Sequence, residues 1–228
     1  MIKIRCSALG KIMTSPREKG EVLSKTAKSY VEELFLEREY GIKKQFTSRY
    51  TDKGIQMERH GIALANTVLD WGLTEEYILE GGQEDFENDF ITGHTDICTS
   101  TLLADIKCPF DGTTFPFFAE EIPNNDYVYQ LQGYMFLTGH DRAELVYCLV
   151  NTPEQIVEDE IRREHWNHKE IDYNEQIAAE VYARHTFDHL PTERRIKRFV
   201  VERNEAIIDK IKEKVLLCRE YYETLKNK

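Results

Sequence analysis

The segment from Ala143 to Val150 constrains the fold most, because it is a run of strand length that is apolar at every position but Glu144. Such runs suit a strand buried on both faces, which needs covering layers above and below its sheet. Helical periodicity elsewhere can supply those layers. After Ser15-Pro16, which reads as a helix entry, Val22, Leu23, Ala27, Tyr30, Val31, Leu34 and Phe35 recur at helical spacing, and Tyr40-Gly41 offers a glycine to end the helix. A second helix is predicted from about Gly54 to Leu69, with Ile55, Ile62, Ala65 and Leu69 on one stripe that also carries Glu58. Asp126 to Leu137 is helical in character. A last helix, about Asn204 to Leu225, sets Ile207, Ile208, Ile211, Val215, Leu216 and Tyr222 on one side. Tyr77 to Cys108 instead breaks into short segments rich in Ile, Phe, Thr and Leu, divided by Gly81-Gly82, Glu87-Asn88-Asp89 and Thr99-Ser100, the pattern of a β-meander. Ile196 to Val201 gives a further short strand, while Thr152 to Arg195, rich in charge and aromatics, fits either a helix or a long excursion. The expected class is α/β, with a mixed central β-sheet flanked by α-helices.

Composition narrows the function. The 228 residues are 41% hydrophobic and 31% charged, a globular balance that excludes disordered, collagen-like and disulfide-scaffold classes. No repeat or low-complexity tract interrupts it, so one domain spanning 1–228 is expected. Asp plus Glu outnumber Lys plus Arg by 41 to 30, a formal net charge of -11, which argues against a protein that coats nucleic acid non-specifically but leaves room for a local basic channel. No run approaches the ~18 apolar residues of a membrane span, and Met1-Ile2-Lys3-Ile4-Arg5 lacks a signal-peptide core, so a soluble cytoplasmic protein is expected. The five cysteines are odd in number, widely spaced and without a C-x-x-C pair, and read as reduced thiols.

Chemistry concentrates between Gly93 and Tyr134. Strand alternation over Thr101–Cys108 places Leu103, Asp105 and Lys107 on one face and Leu102, Ala104, Ile106 and Cys108 on the other. A carboxylate and an ammonium therefore point the same way at the end of an apolar strand. Gly93-His94-Thr95-Asp96 ends the preceding segment, so two antiparallel strands joined at Thr99-Ser100 would bring Asp96 beside Asp105. That pair, with the carbonyl of Ile106 and with Glu58 facing inward from its helix, suits a hard cation such as Mg²⁺. Such a site fits phosphodiester hydrolysis, with Lys107 orienting a water or neutralising developing charge. A lone D-x-K pattern is otherwise a surface ion pair, so the case rests on the combination. On the following helix Gln130 and Tyr134 stand i, i+4 with Tyr127 beside them, and Val128, Leu131 and Met135 form a separate apolar stripe. The polar face would meet water or wall a nucleic-acid groove. His185 and His189, also i, i+4, could bind zinc or simply share a surface helix.

The ordered set Gly54-x-x-x-Glu58, Gly93-x-x-Asp96, Asp105-x-Lys107 and Gln130-x-x-x-Tyr134 resembles the PD-(D/E)xK nuclease superfamily, in the branch of RecB-type and YqaJ-type phage recombination nucleases that includes phage lambda exonuclease. Lys107-Cys108-Pro109-Phe110, the Tyr127–Tyr134 segment and Val200-Val201-Glu202-Arg203 extend the likeness over roughly Gly54 to the last residue. The resemblance implies a restriction-endonuclease-like core. It implies that Asp96, Asp105 and the Ile106 carbonyl hold Mg²⁺, with Mn²⁺ able to substitute. Glu58 would serve a second metal or its water shell, Lys107 would assist the water, and Gln130 and Tyr134 would position Lys107 and the DNA. This chain has Asp105 where the family member carries Glu. The family also binds a 5′-phosphate through an arginine ahead of a Ser-containing helix start; if Ser7 is that serine, Arg5 or Lys11 would be the candidates to substitute for the arginine.

The same resemblance implies a processive 5′ to 3′ exonuclease acting on double-stranded DNA ends in a phage recombination system, working as a ring of three subunits with a single-strand annealing protein. A ring confines DNA contacts to a central channel, for which Lys43, Lys44, Arg49, Arg194, Arg195, Lys197 and Arg198 are the candidates. Two rivals stand beside it. One is a RecB- or Cas4-like nuclease of other polarity or single-strand preference, and the other is a non-catalytic DNA-binding protein of the same fold.

Overall fold

A computed structural model describes residues 1–44, 49–80, 84–169 and 172–227. The Gly81-Gly82 break and part of the basic stretch between Lys43 and Lys53 lie outside the described residues. Fifteen of the described elements matter here: β1 (Ile4–Arg5), α1 (Leu9–Met13), α2 (Lys25–Tyr40), α3 (Arg49–Leu69), α4 (Glu75–Glu80), β2 (Glu84–Glu87), β3 (Ile91–Thr95), β4 (Ile97–Cys98), β5 (Leu103–Lys107), α5 (Asn125–Thr138), β6 (Arg142–Cys148), α6 (Glu154–His168), α7 (Glu175–His185), β7 (Ile196–Glu202) and α8 (Glu205–Leu225).

The apolar run becomes β6, in the interior of a four-stranded mixed sheet ordered β4-β5-β6-β7. β5 and β6 run parallel and are joined across α5, whereas β4 and β7 pair antiparallel with their neighbours. Helices cover both faces. Leu103, Leu145, Tyr147 and Phe199 point into the larger core with residues of α1, α2, α5 and α8, while Ala104, Ile106, Val146 and Cys148 meet Ile62 and Ala65 of α3 on the other face. Gly61 permits that second contact, because a Cβ there would sit 2.8 Å from Cys108 Sγ and 2.9 Å from Ile106 Cγ2. α3 can therefore lie against the strand that carries the candidate site.

The mixed central sheet flanked by helices is as expected, and a smaller sheet stands beside it. This second, three-stranded sheet has the order β1-β3-β2, and the chain passes from it to the first at Asp96, between β3 and β4. The side chain at that bend accepts the Ile106 N–H at 2.6 Å, so a carboxylate does what a ladder carbonyl would otherwise do.

Several helix boundaries differ from those read in the sequence. α2 begins at Lys25, capped by Ser24, whose Oγ accepts the Ala27 N–H at 3.0 Å, and not at Ser15-Pro16. Its end is as expected, at Gly41 with φ 67°. α3 starts at Arg49, five residues before the expected Gly54, because its first turn lies ahead of the apolar stripe. Tyr77 belongs to α4 and not to a strand, since Thr74 Oγ1 accepts the Tyr77 N–H at 3.1 Å and starts a helical turn. Within the region expected to be a helix or a long excursion, α6 and α7 pack together around Val157, Ile161, Ala178 and Val181.

Candidate active site

The site forms where β5 leaves the sheet. Register carries Ile97 opposite Ala104 and Cys98 opposite Leu103, so one step further Asp96 faces Asp105, as the turn at Thr99-Ser100 leads one to expect. Both carboxylates are buried. Lys107 lies on the Asp105 face, ion-paired to Asp105 Oδ2, with its Nζ 5.0 Å from the centroid of the Tyr127 ring. Burial alone would lower the Lys107 pKa, yet Asp105 and Asp96 outweigh it and hold the amine above the ordinary lysine value. Asp96 moves the other way from a typical surface carboxylate. Burial first, then the charge of Asp105, raises its pKa well above the usual range; Lys107 opposes this and Glu58 adds to it.

α5 presents the polar pair to this cluster and not to water. Gln130 Nε2 donates to Asp105 Oδ1 at 2.9 Å and to Tyr134 Oη at 2.8 Å, and Tyr134 Oη donates to the His94 carbonyl at 2.7 Å. One chain of hydrogen bonds thus joins β3, β5 and α5. Both amide hydrogens of Gln130 are used, which fixes the orientation of the Asp105 carboxylate. Burial and the nearby Asp105 charge raise the Tyr134 pKa, so its hydroxyl remains a donor.

Beside the cluster opens a cleft of about 640 Å³, with Tyr50, Ile55 and Glu58 of α3 on one wall, Tyr127 and Gln130 of α5 on the other, and Lys107 at its base. Glu58 lines the cleft and acts electrostatically on Asp96, but among the described residues no three His, Cys, Asp or Glu side chains converge to enclose a metal ion. What the structure does bring together is a buried carboxylate pair next to the Ile106 main chain, with an open cleft alongside. Two carboxylates and a carbonyl suit a hard divalent cation that keeps waters or phosphate oxygens as its remaining ligands. The raised Asp96 pKa records its burial first and then the neighbouring Asp105 carboxylate, which Lys107 opposes.

No family model matches the sequence, and no curated protein matches it. Among solved structures, a phage-related exonuclease from Haemophilus somnus 129PT is 30% identical, with a TM-score of 0.76 over 99% of this chain and 96% of that one. The chain belongs to the phage-related exonuclease family. That is the YqaJ and lambda-exonuclease-like branch of the PD-(D/E)xK superfamily that the motif order indicates. An alkaline exonuclease from Laribacter hongkongensis, LHK-Exo, shares the fold at 19% identity, with a TM-score of 0.60 over 99% of this chain and 92% of that one. Its complex with dAMP superposes comparably, with a TM-score of 0.59.

Within this family member the expected channel cations are mostly engaged. Lys43 pairs with Glu37 at 3.9 Å, Lys44 with Glu33 at 2.7 Å, Arg195 with Asp188 at 3.2 Å and Arg198 with Glu144. Lys197 lies over the Phe199 ring, and Arg194 is exposed. Arg49 is structural: its guanidinium pairs with the buried Glu160 of α6 and lies 5.1 Å from the centroid of the Phe110 ring. Arg5 and Ser7 share a hollow with His94, but Arg5 Nη2 is held by both oxygens of Glu37 at 3.0 and 2.8 Å, and Lys11 sits over the Tyr30 ring. His185 and His189 do not share a helix. α7 ends at His185, whose Nδ1 lies 2.9 Å from Thr152 Oγ1. Sequence reasoning missed Lys53, which is fully buried on α3. Its only sequence signal, a lysine among other polar residues, points to the surface.

Proposed function

We propose that this chain is a Mg²⁺-dependent deoxyribonuclease, a processive 5′ to 3′ exonuclease on double-stranded DNA ends that serves phage recombination as one nuclease unit spanning 1–228. The observation that carries the reading is the buried Asp96–Asp105 pair with Lys107 on the same strand face at the base of an open cleft. The Haemophilus somnus relative is a phage-related exonuclease. The dAMP held by LHK-Exo is the kind of mononucleotide that stepwise cleavage from an end releases.

Asp96, Asp105 and the Ile106 carbonyl would hold Mg²⁺, or Mn²⁺ in its place, with Glu58 contributing through the water shell. The bound cation would supply charge for the scissile phosphate and a more acidic attacking water. The chain's own residues do the rest. Asp105 holds the Lys107 ammonium by their ion pair, which would keep a donor beside the negative charge that develops on the phosphate. Gln130, braced by Tyr134, keeps the Asp105 carboxylate from rotating. The cleft walls of α3 and α5 would receive the DNA end. Assembly would be a ring of three subunits, with a single-strand annealing protein receiving the exposed strand.

The test is digestion of linear duplex DNA labelled at one 5′ or one 3′ end, against closed circular DNA, with Mg²⁺ and with EDTA. Mg²⁺-dependent release of the 5′ label from linear DNA alone is expected. Asp105→Asn and Lys107→Ala should abolish cleavage while DNA binding persists. Early release of the 3′ label, preference for single strands, or full activity in either variant would refute the reading, as would an inactive wild type.

A further inference from the structure

The Lys107 end of β5 runs out of ladder support where the chemistry needs it most. The last β5–β6 pair is Lys107 with Tyr147, after which Cys108-Pro109-Phe110 leaves the sheet along the base of the cleft. Side chains hold the backbone there. Lys53 Nζ donates to the Phe110 carbonyl at 3.1 Å, and Thr152 Oγ1 donates to the same oxygen at 3.2 Å. Two donors therefore converge on one carbonyl three residues beyond Lys107. His185 Nδ1 holds the Thr152 hydroxyl at 2.9 Å, and the His185 ring meets the Phe110 ring edge-on, with centroids 4.9 Å apart.

Lys53 is an unusual residue for this task. It is 0% exposed, with its Nζ 5.4 Å from the centroid of the buried Phe187 ring. No carboxylate among the described residues lies within ion-pair distance of it, the nearby Asp111 being engaged by Thr113 and Thr114. Burying an amine without an ionic partner is costly, so an apolar side chain would serve packing alone better. A methionine would fill similar space. What it could not do is reach the Phe110 oxygen with a donor.

We infer that Lys53 is a positioning residue for cleavage, acting through the Phe110 carbonyl to fix the strand end that carries Lys107. The inference rests on the nuclease reading above. Lys53 shares α3 with Glu58, so one helix both walls the cleft and ties down its base. Because Lys53 is buried away from the cleft surface, its loss should act on turnover and not on substrate binding. Small displacements of reacting groups cost rate steeply.

The experiment measures steady-state cleavage of linear duplex DNA by full-length wild type, Lys53→Met, Lys53→Gln and Thr152→Val. Lys53→Met is expected to lower kcat about tenfold or more with KM within about twofold, the pattern of a lost transition-state interaction. Lys53→Gln retains a donor on a shorter stem and should recover most of that loss. Equal kcat for the Met and Gln variants, or a rise in KM at unchanged kcat, would overturn the inference. Should Lys53→Met fail to fold, Thr152→Val carries the test: it removes the other donor from the same oxygen, a kcat reduced about threefold is expected, and an unchanged kcat overturns the proposal. An inactive wild type would instead remove the nuclease reading on which this one stands.

Discussion

Lys53 makes a stability prediction opposite in sign to its catalytic one. Burial, only partly offset by the nearby Cys108 and Asp111, lowers its pKa from the ordinary 10.5 to about 8. At 1.36 kcal/mol for each tenfold change in proton affinity, that fall corresponds to roughly 3 kcal/mol of destabilisation below pH 8. Between about pH 8 and 10.5 the unfolded chain keeps a proton that the folded chain has shed, so the penalty shrinks as pH rises through that window. Lys53→Met removes the penalty but forfeits one donor to Phe110, a loss of about 1 kcal/mol. The variant should therefore be more stable than wild type by about 2 kcal/mol at pH 7. That advantage should vanish, then reverse slightly, towards pH 10.5. Urea denaturation of both proteins from pH 7 to 10.5 measures it. Taking the difference cancels the tyrosines common to both, and Cys108, which does interact with Lys53, has a thiol that burial pushes up to about 12, above the window. His185, whose pKa is lowered by burial and then by Lys53, titrates below the window. A Met variant less stable than wild type at pH 7, or a difference flat across the range, would refute the reasoning.

Two further changes probe the supports of the site. Gly61→Ala places a methyl 2.8 Å from Cys108 Sγ and 2.9 Å from Ile106 Cγ2, so α3 must shift off β5; a loss of about 2 kcal/mol is expected by thermal or urea unfolding, with weakened cleavage because Glu58 moves too. Arg49→Met leaves the buried Glu160 to Arg163 alone, and should cost about 2 kcal/mol in the same measurement; salt dependence of DNA binding should change little, because Arg49 is committed to α6 and not to phosphate.

The sequence by itself determined the elements whose residues report their own surroundings. The Ala143–Val150 run marked β6, alternation over Leu103–Lys107 put Asp105 and Lys107 on one face, and the short turn at Thr99-Ser100 was enough to predict Asp96 across from Asp105. The spacing of Gln130 and Tyr134 likewise placed both on one face of α5. Tertiary structure decided that this face is buried and hydrogen-bonded to Asp105. It also decided that a second sheet meets the central one at Asp96, that a helix started by Thr74 takes in Tyr77, and that Arg49 serves α6. Lys53 shows the physical reason most plainly. Periodicity records whether a side chain prefers water, and a lysine normally does; only the arrival of Phe110, Thr152 and Phe187, distant in sequence, supplies the buried surroundings and the carbonyl that make its burial useful.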